Sequence, residues 1–179
     1  MDAATTAAPS RKIEIRRASQ GGELMEAMSL APVDMTQMEG LAKLVAADYQ
    51  KGFVVKVLFS SAEPPMSLTY SWFKPGFPLP RHSHSADCLY YVISGEMRMG
   101  EDALGAGDCM FVPAGALYTF ETGPQGVEFI EFRTAPKYDI RYASPAKAWE
   151  RQLEQTRTHA AHWDDETPPM AVRRMTGEV

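Results

Sequence analysis

Two cysteines in 179 residues, Cys88 and Cys109, do not make a disulfide framework. No run is long and apolar enough to span a bilayer. The opening residues, MDAATTAAPSRK, lack the apolar core of a signal peptide. There is no excess of positive charge either: the formal net charge is −5. A mildly acidic chain lacks the field that nucleic acid or an anionic membrane surface requires, so neither is an expected partner. The expected location is the cytoplasm, where both thiols stay reduced. What is present is ordinary for a globular protein: 45% hydrophobic and 23% charged residues, enough to bury a core without staples.

Residues 1–10 carry no periodic pattern and read as a tail. Lys12–Arg17 alternates, with Ile13 and Ile15 on one face, which is a strand signal. Val33–Gly52 reads as a helix. Asp34 is its N-cap with Gln37 completing a capping box, Met38, Leu41, Val45 and Tyr49 are its apolar stripe, and Gly52 its stop.

From Phe53 the period changes to two. Phe53–Phe59, Met66–Phe73, Cys88–Ser94, Cys109–Val112, Leu117–Phe120 and Val127–Phe132 are short strands separated by Gly/Pro turns. That pattern predicts an all-β sandwich or barrel. After Pro136 it stops. Ser144-Pro145 opens a helix to about Arg157, with Ser144 as cap and Ala148, Trp149, Leu153 and Thr156 as its stripe. Trp163–Val179 is polar and reads as irregular. The resulting division is 1–10 tail, 11–52 N-terminal strand and helix, 53–136 barrel, and 137–179 C-terminal helix and tail.

The chemically informative stretch is Gly76-Phe-Pro-Leu-Pro-Arg-His82-Ser-His84-Ser-Ala-Asp-Cys88-Leu-Tyr-Tyr-Val-Ile-Ser-Gly95. Two histidines separated by one strand residue share a face, with α-carbons about 6.5–7 Å apart. Metal–nitrogen bonds of about 2 Å let both rings reach one ion. His159 and His162, three apart near the end, read as a solvated surface pair, and Cys109 as packing.

This stretch resembles the first motif of the cupin superfamily: Gly76, His82, His84 and Gly95 fit its spacing. Gly107, Asp108, Pro113 and Gly115 fit the second motif, in the expected order and distance. The resemblance implies an all-β cupin jelly-roll barrel, here with an added N-terminal helix and C-terminal helix. It also implies a divalent transition metal ion (Zn, Fe, Ni, Mn or Cu), a small-molecule ligand and a homodimer, with Lys12–Arg17 the candidate dimer strand. Two departures stand out: Cys88 occupies the family's glutamate position and Tyr118 its last histidine position. The metal ligands carried over are His82 and His84. Cys88 is either a third, thiolate ligand or a small buried hydrophobe. Tyr118 is read as a substrate-facing proton donor, with direct ligation the lesser alternative. Asp87 is either a substitute carboxylate, if Ser85-Ala-Asp87 is a turn, or is pointed away by strand parity. Trp72, Tyr90 and Phe120 are expected to line an apolar, aromatic pocket.

The implied function is a metal-binding cupin enzyme, dioxygenase-like or related, acting on a small organic molecule. The alternative is a non-catalytic cupin that binds or senses such a molecule at a degenerate metal site.

Overall fold

A computed structural model describes residues 12–30 and 33–179. The expected strand at Lys12–Arg17 does not form: the segment is irregular, and Ile13 and Ile15 are 96% and 67% exposed. Alternation makes a strand only where a partner edge and a core face are available. The first strand is instead β1 (Gly22–Glu23), followed by a single helical turn, α1 (Leu24–Ala27), and β2 (Met28–Leu30).

Helix α2 (Met35–Ala46) begins as its sequence predicts, with the Asp34 carboxylate accepting from the Gln37 amide at 3.0 Å. The reciprocal half of the capping box is missing. The Gln37 side chain turns inward, donating to the Ser144 carbonyl and accepting from the Ser144 amide and the Trp149 indole. The buried stripe is therefore Gln37, Gly40 and Leu44, while Met38 and Val45 are exposed. Gly40 explains the rotation. A Cβ there would stand 2.2 Å from the Trp149 ring, so a residue with no side chain sets the closest approach of α2 to α3 (Ala146–Trp163). A stripe drawn from large apolar residues does not see such a contact.

The strands that follow are β3 (Phe53–Ala62), β4 (Pro65–Phe73), β5 (His82–Ser83), β6 (Cys88–Met99), β7 (Asp102–Leu104), β8 (Cys109–Val112), β9 (Glu121–Arg133) and β10 (Tyr138–Tyr142). One antiparallel sheet runs β1-β3-β4-β9-β6-β7, with β8 also on β6; a smaller one runs β2-β10-β5. The strand expected at Leu117–Phe120 reduces to a bridge between Tyr118 and His82. β10 lies past Pro136, where the β pattern was expected to stop, and contributes Asp139 beside the histidines. The expected cupin jelly roll with flanking helices is the fold the chain adopts. At Gly95, with φ +74° at an irregularity in the β6–β9 register, a Cβ would meet the Gly126 carbonyl at 2.2 Å, which is why this position of the first motif needs glycine.

Strand alternation divides the apolar residues between two faces. Phe73, Cys88, Tyr90, Val92, Val127 and Phe129 pack inside the barrel. Tyr70, Trp72 and Val172 form a separate outer cluster. Val172 belongs to α4 (Met170–Thr176), a helix where an irregular tail was expected; it covers the outer face of β3 and β4. At the start of α3, Ser144 does not cap. Its hydroxyl accepts from the Arg81 amide instead, so it ties the helix entrance to the segment leading into His82. Cys109 is exposed rather than packed, because its position on β8 faces outward. Among the described residues, no helix is long and apolar enough to cross a membrane.

Candidate metal centre

Both imidazoles point into the barrel. His82 is 3% and His84 1% exposed, with ring centroids 4.8 Å apart. The His82 Nδ1 lies 2.7 Å from the Pro80 carbonyl, and the His84 Nδ1 contacts the Asp139 carbonyl. A carbonyl only accepts, so each Nδ1 carries the ring's hydrogen and each Nε2 presents a lone pair. Both lone pairs aim at one atom, the Tyr118 hydroxyl, at 3.0 Å from His82 and 2.9 Å from His84. The Tyr90 hydroxyl contacts the same oxygen.

The proton count is decisive. Tyr118 has one hydrogen and can donate to one imidazole; Tyr90 can donate to Tyr118, not to the second ring. One buried nitrogen lone pair is therefore left without a hydrogen. Protonating the rings does not resolve this near neutral pH. Burial, aided by the Arg133 charge, pushes His82 down to about 4 and His84 down to about 2. Both rings are neutral, the state in which imidazole ligates a metal.

Cys88 points inward from β6, its thiol donating weakly to the Ala86 carbonyl at 3.4 Å. Burial first, then the neighbouring Glu131, pushes that thiol up to about 12. Left to itself it is a neutral thiol; only a bound cation would make it a thiolate.

Glu131 and Arg133 were not among the expected site residues. Both lie on β9, where Val127, Phe129, Glu131 and Arg133 alternate inward. Glu131 stands opposite Tyr90 and Arg133 opposite Cys88. Each is at most 2% exposed. The Arg133 Nε is 3.1 Å from the Glu131 Oε1, but the pair is not aligned as a hydrogen bond, and both atoms lack a hydrogen-bond partner among the described residues. Burial raises the Glu131 carboxyl above the usual carboxylate range, against the pull of Arg133. Arg133 also stacks 4.0 Å over the Tyr138 ring and lies 3.7 Å from the Asp139 carboxylate. The signal for this pair was in the sequence: two opposite charges at strand spacing on an otherwise apolar inner face.

The donor atoms of His84, Cys88 and Glu131 all lie within 4.8 Å of one another. His82 is not in that group: its Nε2 is linked to the His84 Nε2 through the Tyr118 hydroxyl. The four residues offer two imidazole nitrogens, a thiol sulfur and a carboxylate oxygen, and one nitrogen lone pair and Glu131 Oε1 are unsatisfied. Buried acceptors in this state fit a divalent cation, and mixed nitrogen, sulfur and oxygen donors suit a transition metal.

The other expected residues divide. Tyr118 sits at the focus of the two imidazoles, and Tyr90 faces inward beside it. Phe120 is inside but stacks on Phe73, with centroids 5.8 Å apart. Trp72 is not in the pocket: it packs on the outer face with Val172, because β4 turns Ser67, Thr69, Ser71 and Phe73 inward and Tyr70 and Trp72 outward. Asp87 accepts from the Ala114 amide and pins a loop. His162 is exposed, and the His159 ring lies against Gly76.

A sequence model of the ChrR Cupin-like domain matches residues 40–136. No curated protein matches the chain. Among solved structures, the chain is similar to an RmlC-like cupin from Shewanella frigidimarina at 25% identity, over 48% of this chain and 78% of that one, with a TM-score of 0.42. It is also similar to the polyketide cyclase RemF from Streptomyces resistomycificus, at 23% identity over 60% and 83% with a TM-score of 0.49. For the DMSP lyase DddQ from Ruegeria pomeroyi the figures are 22% identity, 49% of each chain and a TM-score of 0.44.

Proposed function

The chain belongs to the ChrR Cupin-like domain family, and we propose that it is a metal-dependent enzyme acting on a small organic molecule within its barrel. The observation behind this reading is the convergence of the His82 and His84 Nε2 lone pairs on one hydroxyl that can satisfy only one of them. His82 and His84 would hold a divalent ion, with Glu131 or Cys88 completing the set. Such an ion would polarise an oxygen of a chelating substrate, the Lewis-acid role common to hydrolytic, lyase and oxygenase chemistry.

The chain's own residues supply the rest. The Pro80 and Asp139 carbonyls fix both imidazole tautomers, as the partners of metal-bound histidines do. Tyr118 holds a proton at the mouth of both lone pairs. Burial keeps its phenol well above the ordinary value, so it serves as a hydrogen-bond or proton donor to bound substrate rather than as a phenolate. Arg133 balances the Glu131 charge without sealing it in a hydrogen bond, which leaves Oε1 free to turn to a ligand. The buried, aromatic walls from Tyr90 and Phe129 lower the local dielectric and strengthen each of these interactions.

A second reading, a non-catalytic barrel that senses a small molecule, is favoured by one feature: the Tyr118 hydroxyl already closes the gap between the rings. Metal analysis of protein purified without added ions separates the two. The enzyme reading expects stoichiometric transition metal, lost in the H82A/H84A double variant, and oxygen uptake or turnover on chelating diketones, phenols or carboxylates. Metal-free protein carrying a bound organic molecule would overturn it in favour of the sensor.

The assembly we propose is a homodimer. Leu89, Tyr91, Ile93 and Phe111 stand exposed together on the outer face of β6 and β8, with Leu89 paired to Phe111. Apolar faces of this kind are commonly covered by a partner. Light scattering should give a dimer that L89E/F111E converts to monomer; a wild-type monomer would refute it.

A further inference from the structure

A second concavity lies away from the barrel's donors. It is a cleft of about 310 Å³ between the segment leading into His82 and one face of α3. That volume is at the lower end of the range for small-molecule sites, about 300–1,000 Å³. None of His82, His84, Glu131 or Arg133 lines it. Its apolar wall is made by Phe77, Leu79 and Phe120. Its charged rim carries two guanidiniums, Arg81 and Arg151, against one carboxylate, Glu121. Among the described residues neither arginine has a carboxylate within ion-pair distance, on a protein whose net charge is −5.

Gln152 also lines the cleft, and it is 6% exposed. Its Nε2 donates to the Leu79 carbonyl at 3.4 Å. A carbonyl takes only a donor, so the amide cannot be the other way round. The Oε1 is then the atom left over, buried and without a hydrogen-bond partner among the described residues. A buried acceptor of this kind calls for a donor that the protein does not supply.

We propose that this cleft is a binding site for a small organic acid that carries a hydroxyl or N–H next to its carboxylate and an apolar body. The carboxylate is held by Arg81 and Arg151, since guanidinium recognises carboxylate with paired, charge-assisted hydrogen bonds. The neighbouring donor satisfies Gln152 Oε1, and the apolar body lies on Phe77 and Leu79. Net positive charge at the rim brings the acid to an otherwise acidic surface. The site is independent of any metal in the barrel.

Isothermal titration of the 179-residue chain with mandelate tests this directly, because mandelate has all three features. Saturable binding is expected, weaker for phenylacetate, which lacks the hydroxyl, and weaker again for benzyl alcohol, which lacks the carboxylate. Arg151 is exposed on α3, so R151E should fold normally and weaken mandelate by at least about tenfold. Amide shifts in a titration followed by NMR should cluster on Leu79, Arg81 and Gln152. No saturable binding of mandelate would overturn the proposal. So would equal affinity in R151E, or binding abolished by H84A but kept in R151E, which would put the acid in the barrel.

Discussion

Tyr118→Phe reads the chemistry of the centre through the sign of one number. The substitution removes a hydroxyl that meets two imidazole lone pairs and the Tyr90 hydroxyl, and it keeps the ring. In the metal-free protein two things are lost. One is the single hydrogen bond that Tyr118 donates to an imidazole, about 1 kcal/mol net. The other is the partner of the Tyr90 hydroxyl, a buried group whose unsatisfied state costs about 1–3 kcal/mol. The metal-free variant should therefore be about 2–4 kcal/mol less stable, measured by urea unfolding after chelator treatment. With Zn²⁺ bound to His82 and His84, their lone pairs belong to the ion, so the first loss disappears and the second stays. The variant must then bind Zn²⁺ more tightly by about 1 kcal/mol, or about fivefold, since the hydroxyl no longer competes for the same lone pairs. A competition titration against a chelating dye measures this. Weaker Zn²⁺ binding in Tyr118→Phe would refute the reasoning and make the phenol a ligand. Unchanged metal-free stability would refute the hydrogen-bond count itself.

Other expectations follow from the same geometry. His82 and His84 have folded pKa values below their unfolded value near 6.5, so the unfolded chain takes up protons first as pH falls. Metal-free stability should be full above about pH 6.5 and drop between about pH 6 and 4, by about 1.4 kcal/mol per pH unit for each histidine. Glu131, raised by burial, works in the opposite direction; a urea midpoint that rises on acidification from pH 6.5 to 5 would contradict the assignment of neutral buried rings. Gly40→Ala improves helix propensity yet must push a methyl group into Trp149, so it should destabilise by about 1–3 kcal/mol, and a raised melting temperature would show that α2 and α3 do not meet there. Iodoacetamide at neutral pH should alkylate Cys109 and spare Cys88, read by peptide mass spectrometry, because one thiol is exposed and the other is buried with its pKa pushed up to about 12. Val172→Ala should cost about 2 kcal/mol and shift tryptophan emission through Trp72 without changing metal content; loss of metal in that variant would put Trp72 back in the pocket.

Period-two patterning and the two glycine-bounded motifs made the barrel, its order and its histidines legible in the sequence. Faces were harder. Leu68, Tyr70 and Trp72 do share a side of β4, but alternation names two faces without saying which is the interior. Trp72 was expected in the pocket, but the inner positions of β4 are Ser67, Thr69, Ser71 and Phe73, and Tyr70 and Trp72 are buried outside against α4. The stripe expected along 33–52 holds at Leu41 and Tyr49, which pack in the core, and fails at Met38 and Val45, which are exposed. The closest contact of α2 with α3 is made instead by Gly40 and Gln37, residues that a hydrophobic pattern discards. The N-terminal alternation around Ile13 and Ile15 is unpaired among the described residues, and both side chains are exposed.

The centre shows what a motif comparison leaves out. Reading Cys88 against the family's glutamate suggests a site that has lost its carboxylate. The loss is local to β6. Cys88 faces Arg133 across the ladder with β9, and the next inward rung pairs Tyr90 with Glu131. A buried carboxylate thus stands one rung from that position, on the neighbouring strand, with one oxygen within 4.8 Å of donor atoms on both His84 and Cys88 and with Oε1 lacking a hydrogen-bond partner among the described residues. Placing it there is costly, because an ionised carboxyl in an apolar interior must be compensated; Arg133, at the next inward position of β9, supplies the compensating charge. The charged pair is therefore either a structural feature of the barrel interior or part of the metal site proposed above. Substituting Glu131 by Gln tests the point: if the pair is only structural, the variant loses stability and keeps its metal, and if the carboxylate has moved strands, the metal goes with it.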